Sequence, residues 1–109
     1  DVLSGDDNLT FPLMALGGTG VISVASNLVP ERMKALTQAA RAGQWDKARS
    51  LHYELLPLFK AIFIETNPIP IKAAMAMKGH GKEVYRLPMC PMSDENRKAL
   101  QAVMEQLKI

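Results

Sequence analysis

The stretch DVLSGDDNLTFPLMALGGTGVISVA, Asp1 to Ala25, decides the fold. Val2 and Leu3 read as the last residues of a buried strand. Asp6, Asp7 or Asn8 can cap a following helix by accepting hydrogen bonds from its free N–H groups, and Pro12 suits a first helical turn. Leu13, Met14 and Leu16 supply apolar contacts, and Gly17-Gly18 stops the helix because glycine takes the left-handed C-cap easily. Gly20 to Ala25 then forms a near-continuous apolar run with three β-branched residues, Val21, Ile22 and Val24. Such a run predicts a strand covered on both faces. Strand, short helix and strand make a βαβ unit, which belongs to a parallel sheet.

Everything after this unit reads as helical. Pro30 opens a segment with Met33, Leu36, Thr37 and Ala40 at helical spacing, and Gly43 breaks it. A longer helix is predicted from Asp46 to Ile64, striped by Ala48, Leu51, Leu55, Leu58 and Ile62, with Pro57 as an expected kink. Thr66-Asn67-Pro68-Ile69-Pro70 reads as a rigid turn, since each proline restricts the residue before it. A short helix from Ile71 to Lys78, a loop from Gly81 to Met92 and a last helix capped by Ser93 complete the chain. Two short strands cannot sustain a parallel sheet by themselves. The expected organisation is therefore the closing part of a larger α/β domain over residues 1–43, with a helical extension over 44–109.

Composition narrows the function classes. The chain has 109 residues, 48% of them hydrophobic, enough for one core and far from the disordered class. The net charge of +2 comes from 13 basic and 11 acidic residues that are interspersed without a long single-sign block, so neither nucleic acid nor an anionic membrane is an expected partner. No apolar run approaches the ~18 residues of a membrane span. No basic stretch precedes Asp1-Val2-Leu3 as in a signal peptide, and an opening inside a strand suggests a processed or cut piece. Cys90, the single cysteine, permits no internal disulfide and suits a cytoplasmic location.

Three stretches carry a family resemblance: Leu3-Ser4-Gly5-Asp6-Asp7, Gly20-Val21-Ile22-Ser23-Val24 and Glu65-Thr66-Asn67-Pro68-Ile69-Pro70-Ile71-Lys72. Arg86-Leu87-Pro88-Met89 before the Ser93 helix start is a fourth, weaker marker. In this order and at these separations they resemble the C-terminal part of the dihydrodipicolinate synthases, from Asp1 to Ile109. The wider group includes N-acetylneuraminate lyase and other 2-keto acid aldolases, and the Asn67 turn and Gly5-Asp6-Asp7 favour the synthases. The resemblance implies an α/β fold: the C-terminal portion of a (β/α)8 TIM barrel, with the end of strand seven at Val2-Leu3, helix seven, strand eight over Gly20 to Ala25, and a helical extension.

The chemistry it implies condenses pyruvate with aspartate 4-semialdehyde in lysine and diaminopimelate biosynthesis. A strand-six lysine forms a Schiff base with pyruvate, and loss of a methyl proton yields an enamine that attacks the aldehyde. No cofactor or metal is implied. The family's lysine, relay tyrosine, threonine and arginine all match positions before Asp1, so no catalytic residue is assigned here. The expected partners are an N-terminal barrel segment and further copies in a homotetramer.

By the same resemblance, Ile22 lies with its backbone against bound pyruvate, and Gly5 lies beside the pocket. Unaided, Ile22 reads as an ordinary buried strand residue and Gly5 as a turn glycine. Asp6 and Asp7 make a weak acid/base or metal pair and read better as helix caps, with Asp6 also placed to order the loop over the site. Asn67 can tie the extension to a barrel loop, or simply sit in a turn.

His52 and His80 lack partners at metal-ligand spacing and read as surface histidines. Cys90 has no evident base, and the seven methionines sit in apolar stripes. Trp45 is expected to anchor a helix join. Two readings of different class remain: a segment of a pyruvate-dependent lyase, or a non-catalytic helical packing module. A second chain carrying the first six strands would separate them.

Overall fold

The computed structural model describes all 109 residues. Two strands, β1 (Leu3–Ser4) and β2 (Gly20–Val21), pair in parallel with Leu3 opposite Gly20 and Ser4 opposite Val21. Helix α1 (Thr10–Ala15) crosses between them. This is the expected βαβ unit, in a small sheet that does not close. Gly17 ends the connection at φ +104°, a conformation L side chains avoid, and the next amide, that of Gly18, donates to the Leu13 carbonyl at 2.9 Å. A Cβ on Gly18 would sit 3.0 Å from that carbonyl oxygen, so the chain needs glycine there to turn back toward β2.

The second strand is shorter than its β-branched run predicts. The ladder ends where the Ile22 amide donates to the Ser4 carbonyl at 2.9 Å. Beyond it, Ala25–Asn27 forms a 3-10 turn. The physical reason is a competing acceptor. Asp7, at the start of the 3-10 turn Asp7–Leu9, takes the amides of Val24 and Ala25 on its carboxylate, and the strand bends away.

Four further helices form the bulk of the molecule: α2 (Pro30–Arg41), α3 (Trp45–Ala61), α4 (Ile69–Met77) and α5 (Asp94–Gln106). Helix α3 packs along α2, and α5 closes over α3 and α4. Leu36 of α2, Leu55 and Leu58 of α3, Ile62 just beyond it and Leu100 of α5 meet with no solvent exposure. Truncating one of these to alanine costs about 2–5 kcal/mol. Helix α3 runs through Pro57 and stops at Ala61, three residues short of the predicted Ile64. Phe63 and Ile64 are exposed, leaving the continuation no core to cover.

Ser93 caps α5 as expected, its Oγ accepting from the Asn96 amide at 3.3 Å. Trp45 packs edge-to-face on Phe11 of α1, ring centres 6.3 Å apart, which joins the start of α3 to the βαβ unit. Arg32 spans the chain: its guanidinium meets Glu54 of α3 at 3.3 Å and donates to the Leu107 carbonyl at 2.6 Å. No helix is long and apolar enough to cross a membrane.

Candidate functional site

Because β1 and β2 are parallel, both chains leave the sheet at the same end. There the Ser4-Gly5-Asp6-Asp7 turn faces the Ile22-Ser23-Val24-Ala25 turn, and Asp7 bolts one to the other. Its Oδ1 accepts from Ser23 Oγ at 2.5 Å. Its Oδ2 accepts from the amides of Val24 at 3.0 Å and Ala25 at 2.9 Å. Ser23 Oγ in turn accepts from the Ser26 amide at 2.9 Å. Asp7 is therefore a cap, but of the turn after β2 and not of the helix that follows it in sequence. It is 2% exposed, which an unpaired carboxylate would not tolerate.

Asp6 plays a different part. Its side chain is exposed and caps nothing, while its carbonyl accepts from Ser4 Oγ at 2.7 Å and Thr10 Oγ1 at 3.1 Å. Gly5 is exposed, its φ lies outside the left-handed region, and a Cβ there would meet nothing within 4 Å. Neither turn geometry nor crowding within the chain demands glycine at this point. Ile22 is 70% exposed, against the reading of an ordinary buried strand residue. Its amide is spent on Ser4, and its carbonyl accepts no hydrogen bond from the chain. The strand ends thus present an open glycine, an exposed isoleucine and an unused carbonyl. None of the surface clefts is lined by Gly5 or Ile22, so this face is a wall and not an enclosed pocket.

The remaining sequence candidates lie elsewhere. Asn67 is exposed in the connection between α3 and α4, and its side-chain amide has no partner in the chain. Its neighbour Glu65 does the tying: Glu65 Oε2 accepts from the Ser93 amide and from Asn96 Nδ2, each at 3.2 Å, and holds the start of α5. His80 is exposed as expected. His52 is not a surface histidine. Its ring stacks on Phe11 at 5.5 Å and its Nδ1 is buried without a partner, so burial pushes its pKa below 6.5. No three His, Cys, Asp or Glu side chains gather as metal ligands.

A polar cluster in the extension was not legible in the sequence. Glu83 pairs with Arg97 of α5, and Tyr85 Oη lies 2.9 Å from the same carboxylate oxygen. The hydrogen bond from Arg97 holds Glu83 below the usual carboxylate range. Burial, reinforced by Glu83, pushes the Tyr85 phenol up to about 12. Lys72 of α4 donates to the Val84 carbonyl at 2.8 Å, so the loop between α4 and α5 is strapped to both helices.

Comparison with known proteins places these features in context. The dihydrodipicolinate synthetase family matches residues 1–107. The 4-hydroxy-tetrahydrodipicolinate synthase of Methanocaldococcus jannaschii is 52% identical over 106 residues, which are 97% of this chain and 37% of that protein. The crystal structure of dihydrodipicolinate synthase from Aquifex aeolicus superposes with a TM-score of 0.97 at 51% identity, covering 99% of this chain and 37% of that one. That of Thermotoga maritima gives 0.96 at 43% identity, over 98% and 36%. The chain spans little more than a third of the length of these relatives.

Proposed function

This chain belongs to the dihydrodipicolinate synthetase family, and from that premise we propose that it closes the catalytic barrel of a class I pyruvate-dependent lyase. Residues 1–43 supply strand seven, helix seven, strand eight and the following helix. Residues 44–109 form the extension. The reaction is that named for the relatives, with pyruvate and aspartate 4-semialdehyde as substrates and a cytoplasmic homotetramer as the working form. Pyruvate condenses with a lysine amine, releasing water and leaving a protonated imine. By the family pattern that lysine stands on strand six, ahead of Asp1, and none of the lysines here matches its position.

The observation that carries this reading is the unused Ile22 carbonyl beside the open Gly5, both at the C-terminal end of a parallel strand pair. Barrel enzymes build their active sites at that end. On this reading the Ile22 carbonyl accepts a hydrogen bond from the protonated imine or from a substrate group that carries a donor, and the isoleucine side chain narrows the cavity. Gly5 leaves room for substrate. Asp6 orders the turn above the site through its carbonyl bonds to Ser4 and Thr10. Asn67, exposed in this chain, ties the extension to a loop of the preceding barrel segment.

The test is borohydride trapping with pyruvate on the complete enzyme, followed by peptide mass mapping. A reduced adduct on a lysine preceding Asp1 is the expected result. An adduct on a lysine of this chain, or none at all, overturns the assignment.

A further inference from the structure

Asp7 is the one buried charged residue of the chain, and all of its side-chain bonds go to the turn that follows Ile22. A cap for a three-residue 3-10 turn needs less. The Ala25–Asn27 turn is held by two amides, those of Val24 and Ala25, on Oδ2. The third bond, from Ser23 Oγ to Oδ1, falls one residue before them. Ser23 is the partner of Ile22 in a single planar peptide unit, and the Ile22 carbonyl lies in that plane. On the other side, the Ile22 amide is tied to the Ser4 carbonyl at 2.9 Å. The peptide is thus clamped before and after, and between the clamps its Ile22 carbonyl and Ser23 amide are left free, the carbonyl being the one acceptor.

We propose that Asp7 is a positioning residue: through Ser23, Val24 and Ala25 it aims the Ile22 carbonyl into the reaction site. This rests on the reading that Ile22 faces bound pyruvate, and names the group that sets its direction. A carbonyl that receives its bond from the protonated imine acts only after condensation. Misdirecting it lowers kcat more than it raises KM. A mere cap predicts the opposite, lower thermal stability with unchanged turnover.

Three variants of the complete enzyme separate these cases. Asp7→Asn keeps an oxygen for the Val24 and Ala25 amides but turns an NH2 toward Ser23, loosening only the third bond. Ser23→Ala removes that bond, together with the one Ser23 Oγ accepts from the Ser26 amide, and leaves the Val24 and Ala25 bonds to Asp7 in place. Ser93→Ala, which uncaps α5, serves as the purely structural control. For each, Tm, kcat, KM for pyruvate and the rate of borohydride-trapped adduct formation are measured.

The expected result is a fall of about tenfold in kcat for Asp7→Asn and about threefold or more for Ser23→Ala, with KM within about twofold. Ser93→Ala lowers Tm at unchanged kcat. Turnover within about twofold of wild type in both Asp7→Asn and Ser23→Ala, with the adduct still forming, overturns the inference and leaves the lyase reading intact. Should Asp7→Asn fail to fold, Ser23→Ala decides alone, because it leaves both backbone bonds in place. A wild-type enzyme that forms no adduct with pyruvate overturns both readings together.

Discussion

At Gly5 the chain spends a glycine where its own structure asks for none. A methyl group there meets nothing within 4 Å. Gly5→Ala is therefore expected to change folding stability by no more than about 0.5 kcal/mol. Its effect belongs to what enters the open space: KM for pyruvate in the complete enzyme should rise about tenfold or more, read by steady-state kinetics. His52 presents the reverse case, a polar atom inside with no partner. Since burial holds its pKa below 6.5, the folded chain resists taking a proton that the unfolded chain accepts. Stability is retained above pH 6.5 and lost as pH falls below it. His52→Phe removes the orphan nitrogen and keeps the stacking on Phe11. It should raise stability by about 1 kcal/mol and flatten the acid side of a Tm-against-pH curve.

Among the elements, the helices were the most legible. The 3.6-residue apolar spacing of α2, α3 and α5 records which face is buried, and the Ser93 cap and Gly17 stop are local devices that act where they stand in sequence. The failures share one cause. The length of β2, the role of Asp7 and the burial of His52 are all set by residues distant in the chain. A run of β-branched residues cannot reveal that a carboxylate at position 7 captures the amides of Val24 and Ala25. The spacing around His52 cannot reveal that Phe11 will stack on it. At the candidate site, Gly5 and Ile22 were reachable only through a resemblance. Periodicity alone marks Ile22 as core, and it is exposed.

The strap between α4 and α5 belongs to the same scale. The phenol of Tyr85, pushed up to about 12, is harder to ionise folded than unfolded. Its contribution is complete below pH 10.0 and disappears as pH rises from there toward about 12. Tyr85→Phe should lose some stability at neutral pH, about 1 kcal/mol for the hydrogen bond to Glu83. It should also lack the alkaline decline, as followed by Tm across that pH range.

For the whole molecule, the distribution of apolar surface is uneven. The helix contacts hide Leu36, Leu55, Leu58 and Leu100, while Val2, Leu3, Leu9, Leu16 and Ile22 of the βαβ end stay exposed beside a pair of strands with open edges. Exposed apolar side chains next to unpaired strand edges favour association. The 109-residue chain by itself is expected to self-associate with rising concentration in sedimentation velocity. The paired substitution Leu9→Glu and Leu16→Glu should shift it toward monomer. A monodisperse monomer at all concentrations would refute this account of the open end.

Arg32 gives the molecule a temporal order. Its bond to the Leu107 carbonyl joins residues 75 positions apart, and through Glu54 the same guanidinium reaches α3. Closing so long a loop costs configurational entropy that only an already assembled helical body can offset. The clasp is then a late event in folding, made once α2 and α3 are in register. In reverse it is expected to be an early one, with the amides of Leu107 to Ile109 exchanging with solvent ahead of those of α3 in a hydrogen-exchange experiment.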